Sequence, residues 1–342
     1  MFSGPGTIGL PRNDRPRGNL LPEHRARVPG DPIITLDGVQ KRYGTVEALA
    51  SVSFGLHRNE AVGYLGPNGA GKTTTLRIIS GLAHPDAGTV SVGGVDPAHD
   101  RRRALAHLGL LIETPGVLPY LTGEDMLGYM AEIKGVPRLD RGRAVERVAR
   151  ALGVAEDLSH PLGSLSTGRL RRLQVAGALI GDPEVLLLDE PTLGLDPVAR
   201  RDLRLLLKDL HRNGVSLFFS THLLEDVEAV CDRVLFLRNG RVVGDEPVDG
   251  RVGGEVGGRT IVLHVRTLSP VTLESVGTIL GPDVAVEQRE AREVTLRFTG
   301  DEAAQSALIQ RLVTGGIPIV SAESARNRLE ERYLERVGRE ES

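Results

Sequence analysis

Eight consecutive residues, Gly66-Pro67-Asn68-Gly69-Ala70-Gly71-Lys72-Thr73, carry the strongest chemical signal in the chain, a complete G-x-x-x-x-G-K-[ST] run. Its glycines let the backbone curl until successive N–H groups face one concave site, and a helix opening at its end adds partial positive charge there. Phosphate is the natural guest of such a cradle. Lys72 then reaches the outer phosphates and the Thr73 hydroxyl ligates a magnesium ion. The other half of such a site is Asp189-Glu190, which closes a run of apolar residues. Asp189 is placed to hold the metal, directly or through water, and Glu190 to take a proton from an attacking water. His222 follows another apolar run. Taken alone it reads more readily as a satisfied core histidine than as a phosphate ligand.

These groups need a scaffold that brings them to one edge. From Ile33 onward short β-rich runs alternate with helix-length segments, the pattern of an α/β domain with a mostly parallel sheet. Glu60 to Leu65 reads as a strand, Gly66 to Gly71 as a turn, and Lys72 to about Ser80 as a helix. Met126, Leu127 and Met130, then Val145, Val148 and Leu152, recur at helical spacing and predict an all-helical insertion over about residues 115–180. Glu184 to Asp189 and Val215 to Ser220 read as neighbouring buried parallel strands. At Val248 to Gly258 the composition turns Gly-rich and too poor in side chains to pack, which predicts a linker.

Residues 259–342 then read as a small α+β unit. The order is strand (Thr260 to Val265), helix (Val271 to Leu280), strand (Val284 to Gln288), strand (Glu293 to Phe298), helix (Ala303 to Leu312) and strand (Ile317 to Ala322). That is the βαββαβ of a ferredoxin-like fold. A charged helix, Arg326 to Val337, is expected to close it. Residues 1–31 mix Gly, Pro and Arg without the apolar core of a secretory signal and read as a disordered extension, which leaves 32–247 as the main domain.

A length of 342 residues exceeds the roughly 250 to 300 at which one core stops growing, which agrees with two units. With 40% apolar and 25% charged residues, wholesale disorder, collagen-like repeats and a disulfide-stapled scaffold are excluded. Aromatic residues make up 3% with no Trp, and the net charge is −3. Neither a stacking surface nor a broad positive field is available for nucleic acid, and no nucleic-acid partner is expected. The single thiol, Cys231, excludes an internal disulfide and reads as a small packing residue in a reducing cytosol. No apolar run approaches the roughly 18 residues that a membrane span needs.

Leu165-Ser166-Thr167-Gly168, upstream of the acid pair, resembles the signature motif of ABC-type ATPases, which sets that family apart from other P-loop NTPases. Glu190-Pro-Thr-Leu-Gly-Leu-Asp196 resembles its D-loop, Ser220-Thr-His222 its switch histidine, and Tyr43 its adenine-stacking aromatic. The resemblance covers about Ile33 to Asp245. It implies ATP and Mg²⁺, with nucleotide contacts from Tyr43, Gly66, Pro67, Asn68, Gly69, Ala70, Gly71, Lys72, Thr73 and Thr74. It also implies that His222 hydrogen-bonds the γ-phosphate and keeps water and Glu190 in line. Ser166 can cap the helix that begins there, so its hydroxyl and the Gly168 N–H form an anion site. In the family that site, with Thr167, faces ATP held by a second copy, so that two chains sandwich two nucleotides as a dimer.

Two departures are informative. Where the family usually has a Gln that senses magnesium, Leu110-Leu-Ile-Glu113 supplies Glu, and no Gln occurs between Ser91 and Lys134. Ile112-Glu113-Thr-Pro115 followed by Leu118-Pro-Tyr-Leu-Thr122 resembles bacitracin and lantibiotic export ATPases. A carboxylate ligates Mg²⁺ as well as an amide does, so Glu113 joins Thr73 and Asp189 as an expected metal ligand. The second departure is the basic run Arg169-Leu-Arg-Arg172. The resemblance implies the ATP-hydrolysing subunit of an ABC exporter, cytoplasmic and peripheral at the inner face of the cell membrane. It would drive a separately encoded permease that moves an antibiotic, antimicrobial peptide or similar amphiphile outward. The alternative is a soluble ABC ATPase of translation or DNA repair. Such proteins resemble two linked cassettes or one split by a coiled coil, whereas this chain has one P-loop and no heptads.

Overall fold

The computed structural model describes residues 32–112, 118–248, 260–300, 302–324 and 336. The expected N-terminal extension, Glu113, nearly all of the Gly-rich linker and nearly all of the closing helix lie outside them.

The chain opens with strands β1 (Ile34–Tyr43) and β2 (Val46–Leu56), then β3 (Ala61–Leu65), helix α1 (Lys72–Ile79), β4 (Ala87–Val92), α2 (Arg101–Ala106) and β5 (Leu108–Leu111). A helical stretch follows, α3 (Gly123–Ile133), α4 (Arg141–Ala151) and α5 (Thr167–Leu179). The chain then returns to the sheet through β6 (Val185–Asp189), α6 (Pro197–Arg212), β7 (Ser216–Thr221), α7 (Leu224–Val230), β8 (Arg233–Arg238) and β9 (Arg241–Pro247).

One nine-stranded sheet results, in the order β4-β1-β2-β9-β8-β3-β7-β6-β5. Its centre, β5-β6-β7-β3-β8, is parallel throughout. These strands are short apolar runs because helices cover both faces. In β6 the period of two is explicit: Leu186 and Leu188 enter one core with the helical stretch, while Val185 and Leu187 enter the other with Tyr64 and Phe218. There Phe54 stacks on Phe218 with ring centroids 5.2 Å apart. Cys231 is fully buried in the first core.

The mostly parallel expectation holds, with β9 antiparallel to β8 and with β1, β2 and β4 forming an antiparallel arm at one side. The reason is local: β1 and β2 are joined by Gly44 and Thr45, with Gly44 at φ +59. A two-residue connection can close only an antiparallel pair.

The later residues form β10 (Thr260–Thr267), α8 (Leu273–Leu280), β11 (Ala285–Glu290), β12 (Glu293–Thr299), α9 (Glu302–Thr314) and β13 (Ile319–Ser324). Their antiparallel sheet has the order β11-β12-β10-β13. It has its own core, in which Leu263, Val265, Leu296 and Phe298 meet Val276, Leu280 and Leu312 from the helices. One boundary needs correction. Val248, read from sequence as the first linker residue, is 4% exposed within the first core, and its N–H donates to Asp232 O at 2.8 Å. A buried valine held on both counts belongs to the larger unit.

Candidate nucleotide site

The Gly66–Thr73 loop leaves β3 and turns into α1, pressed between β2 and β8. A Cβ on Gly66 would stand 2.4 Å from Leu237 O, and one on Gly71 2.5 Å from Ala48 O. Gly71 also has φ +108, so sterics and backbone both demand glycine there. Gly240 N–H ties the loop down by donating to Ala70 O at 3.0 Å. Gly69, at φ +81, has nothing within 4 Å of a Cβ position and faces open space.

Lys72 opens α1 and is 6% exposed. Its Nζ donates to Gly66 O at 2.8 Å and Pro67 O at 3.1 Å and stands 3.4 Å from Glu190 Oε1. Thr73 Oγ1 donates to Asp189 Oδ2 at 2.7 Å, and the other Asp189 oxygen accepts from Ser220 Oγ. Glu190 sits at φ +45, and its N–H donates to Ser220 Oγ at 3.1 Å. Such backbone costs about 1–3 kcal/mol outside glycine and persists where the surroundings over-determine it. His222 Nδ1 lies 2.9 Å from Glu190 Oε2. The parallel sheet thus gathers Lys72, Thr73, Asp189, Glu190 and His222 at the ends of β3, β6 and β7.

This donor set fits a nucleotide with its metal. The loop presents backbone N–H groups and a buried ammonium to an open cradle, as a polyphosphate requires. The Thr73 hydroxyl and Asp189 carboxylate already meet at one point, and hard oxygen donors suit Mg²⁺. Glu190, fixed by contacts on both oxygens, is placed to accept a proton from water. Ser220 is the site residue that sequence reasoning left without a role. Its signal was a hydroxyl ending an apolar run immediately before the Thr221-His222 pair.

The signature residues stand apart. Among the described residues no hydrogen bond or ion pair joins Ser166, Thr167 or Gly168 to the Gly66–Thr73 loop. Ser166 caps α5 by accepting from Arg169 N at 3.3 Å. Asp196 caps α6, accepting from Val198 N and Ala199 N at 2.9 Å each. The two helix starts touch, since a Cβ on Gly168 would lie 2.8 Å from Ala199 Cβ. The basic run is divided. Arg169 Nη1 lies 2.9 Å from the buried Asp157 carboxylate and Arg172 pairs with Asp202 at 2.7 Å. Arg171 is buried, and burial pulls its pKa down.

Tyr43, 45% exposed at the end of β1, lines a cavity of about 510 Å³ with Lys41, Arg77, Leu82, Ala83, His84 and Ile112. None of these residues belongs to the phosphate-cradling loop.

A parallel α/β sheet with this loop after β3, an acid pair at the end of β6 and a helical stretch carrying a capped α5 defines a P-loop ATPase of the ATP-binding cassette class. The chain belongs to the ABC transporter ATP-binding family, whose sequence profile, described as ABC transporter, matches residues 49–193. The uncharacterized ABC transporter ATP-binding protein YdbJ of Bacillus subtilis (strain 168) is 34% identical over 221 residues, 64% of this chain and 71% of YdbJ. The linearmycin resistance ATP-binding protein LnrL of the same organism is 28% identical over 313 residues, 90% of this chain and 99% of LnrL. The bacitracin transport ATP-binding protein BcrA of Bacillus licheniformis is 32% identical over 218 residues, covering 64% of this chain and 70% of its own. A solved ATP-binding cassette in a dimeric post-hydrolysis state with ADP and Pi superposes with a TM-score of 0.57 at 25% identity, covering 64% of this chain and 99% of that one. The chain binds and hydrolyses ATP as a member of this family. Among the described residues no helix is long and apolar enough to cross a membrane.

Proposed function

We propose that the chain is the ATP-hydrolysing subunit of an ABC exporter, working as a dimer on a separate membrane permease to move an antibiotic, antimicrobial peptide or related amphiphile outward. The observation that carries the hydrolytic part is the convergence of Lys72, Asp189, Glu190 and His222 around one open loop. The export part is supported by relatives named for bacitracin transport and linearmycin resistance.

In this reading the Gly66–Thr73 backbone and Lys72 bind the phosphates, Thr74 extends that contact along α1, and Tyr43 stacks on adenine. Thr73, Asp189 and Glu113 would hold Mg²⁺, which when bound would supply charge neutralisation at the phosphate oxygens. Glu190 takes the proton of the attacking water while His222 fixes its carboxylate. Ser166, Thr167 and Gly168 face the nucleotide of the partner copy, and Asp196 fixes the segment between the two sites. The protein sits at the inner face of the cell membrane through its permease. Expression of a tagged chain in its native host, followed by detergent extraction and affinity capture, is expected to recover an integral membrane protein of several spans. Recovery with ribosomes or DNA-repair proteins in its place would reject the exporter reading.

A further inference from the structure

Glu190 and His222 immediately follow different strands, β6 and β7, and a residue outside both motifs ties them together. Thr192, two residues after Glu190, and Thr221, immediately before His222, donate their hydroxyls to the same oxygen, Oδ2 of Asp226 in α7, Thr221 at 3.3 Å. Thr221 Oγ1 also accepts from Leu223 N at 3.0 Å, so one hydroxyl brackets His222 on both sides. The second oxygen of Asp226 accepts from Arg204 Nε on α6, and Arg204 Nη2 reaches Glu225 Oε2 at 3.2 Å.

Asp226, Thr192 and Thr221 are all at most 1% exposed. Burying a carboxylate costs several kcal/mol unless it is fully paired, and apolar residues of similar size would pack the space at less cost. What the polar cluster adds is direction: each bond fixes one segment relative to the others. The segments it fixes are the turn after Glu190, the end of β7 and the helix that begins at Asp196. The strained backbone of Glu190, at φ +45, needs such anchoring close by.

We propose that Asp226, with Arg204 behind it, is a positioning residue for hydrolysis that holds Glu190 and His222 in register through Thr192 and Thr221. This rests on the roles given to Glu190 and His222 above. The test uses the full chain and compares Thr192→Val, which removes one hydroxyl at constant volume, with Thr192→Ser, which keeps it, and with Asp226→Asn. ATP binding, KM, kcat and melting temperature are measured for each. Thr192→Val and Asp226→Asn are expected to lower kcat by roughly tenfold or more with KM within about threefold, and Thr192→Ser to recover most of that loss. Values of kcat within about twofold of the parent in Thr192→Val overturn the proposal. So does a loss shared equally by ATP binding and thermal stability, which a merely structural contact would give. If Asp226→Asn does not fold, the two Thr192 variants decide alone. Glu190→Gln, assayed alongside, tests the underlying reading separately: normal turnover there removes Glu190 from the chemistry whatever Thr192 does.

Discussion

His222 Nδ1 lies 2.9 Å from Glu190 Oε2, across 32 residues of sequence. The other oxygen of Glu190 faces Lys72 Nζ at 3.4 Å, so the carboxylate is held between an imidazole and an ammonium.

Glu190→Gln keeps the size of that side chain and removes its capacity to accept a proton. Hydrolysis should slow by roughly 10² to 10⁴ fold while ATP binding survives. Size-exclusion chromatography with ATP should then show accumulated dimers, and near-normal steady-state turnover would remove Glu190 from the role of base.

Lys72→Ala acts on binding as well as turnover. It removes a charge-assisted contact to phosphate and leaves Glu190 without its cationic neighbour. Calorimetry in Mg²⁺ buffer should show weaker ATP binding, and unchanged affinity would place the nucleotide elsewhere.

Glu113→Gln restores the residue more common in the family and keeps an oxygen ligand, so basal hydrolysis should change less than tenfold, about 1.4 kcal/mol. Glu113→Ala should raise the Mg²⁺ requirement and uncouple hydrolysis from transport. Unaltered Mg²⁺ dependence and unaltered resistance in the Ala variant would leave Glu113 a solvated acid.

Gly109→Ala tests packing away from the chemistry. A Cβ there would meet Ala178 O at 2.2 Å and Leu186 Cδ2 at 2.5 Å, wedging α5 away from β5 and β6. Overpacking of this kind costs about 1–3 kcal/mol. Urea unfolding should show a lower midpoint, and an unchanged one would mean that α5 yields freely.

Removing residues 249–342 should leave a folded, ATP-binding chain, because the larger unit has its own two cores. The cut must spare Val248, which is buried in one of them. Aggregation of the shortened chain would mean that the C-terminal residues complete the larger unit.

Sequence alone determined the parts whose constraints are local. The Gly66–Thr73 loop is legible because backbone crowding at Gly66 and Gly71 admits no side chain. The buried strands β6 and β7 are legible because solvent-free faces demand unbroken apolar runs. Ser166 as a helix cap follows from a single hydroxyl beside unpaired N–H groups. Tertiary structure alone decided which of these parts meet. Thr73 and Asp189 are 116 residues apart in sequence and 2.7 Å apart in space. Their meeting depends on which strands lie side by side and in what register, and no local spacing encodes that. The same holds for Asp226, an ordinary helix acid in the sequence, which becomes the common acceptor for Thr192 and Thr221. The placement of β7 beside β6 and the packing of α7 against β7 and α6 create that convergence, because a hydrogen bond is set by atomic position and sequence fixes position only through the whole fold.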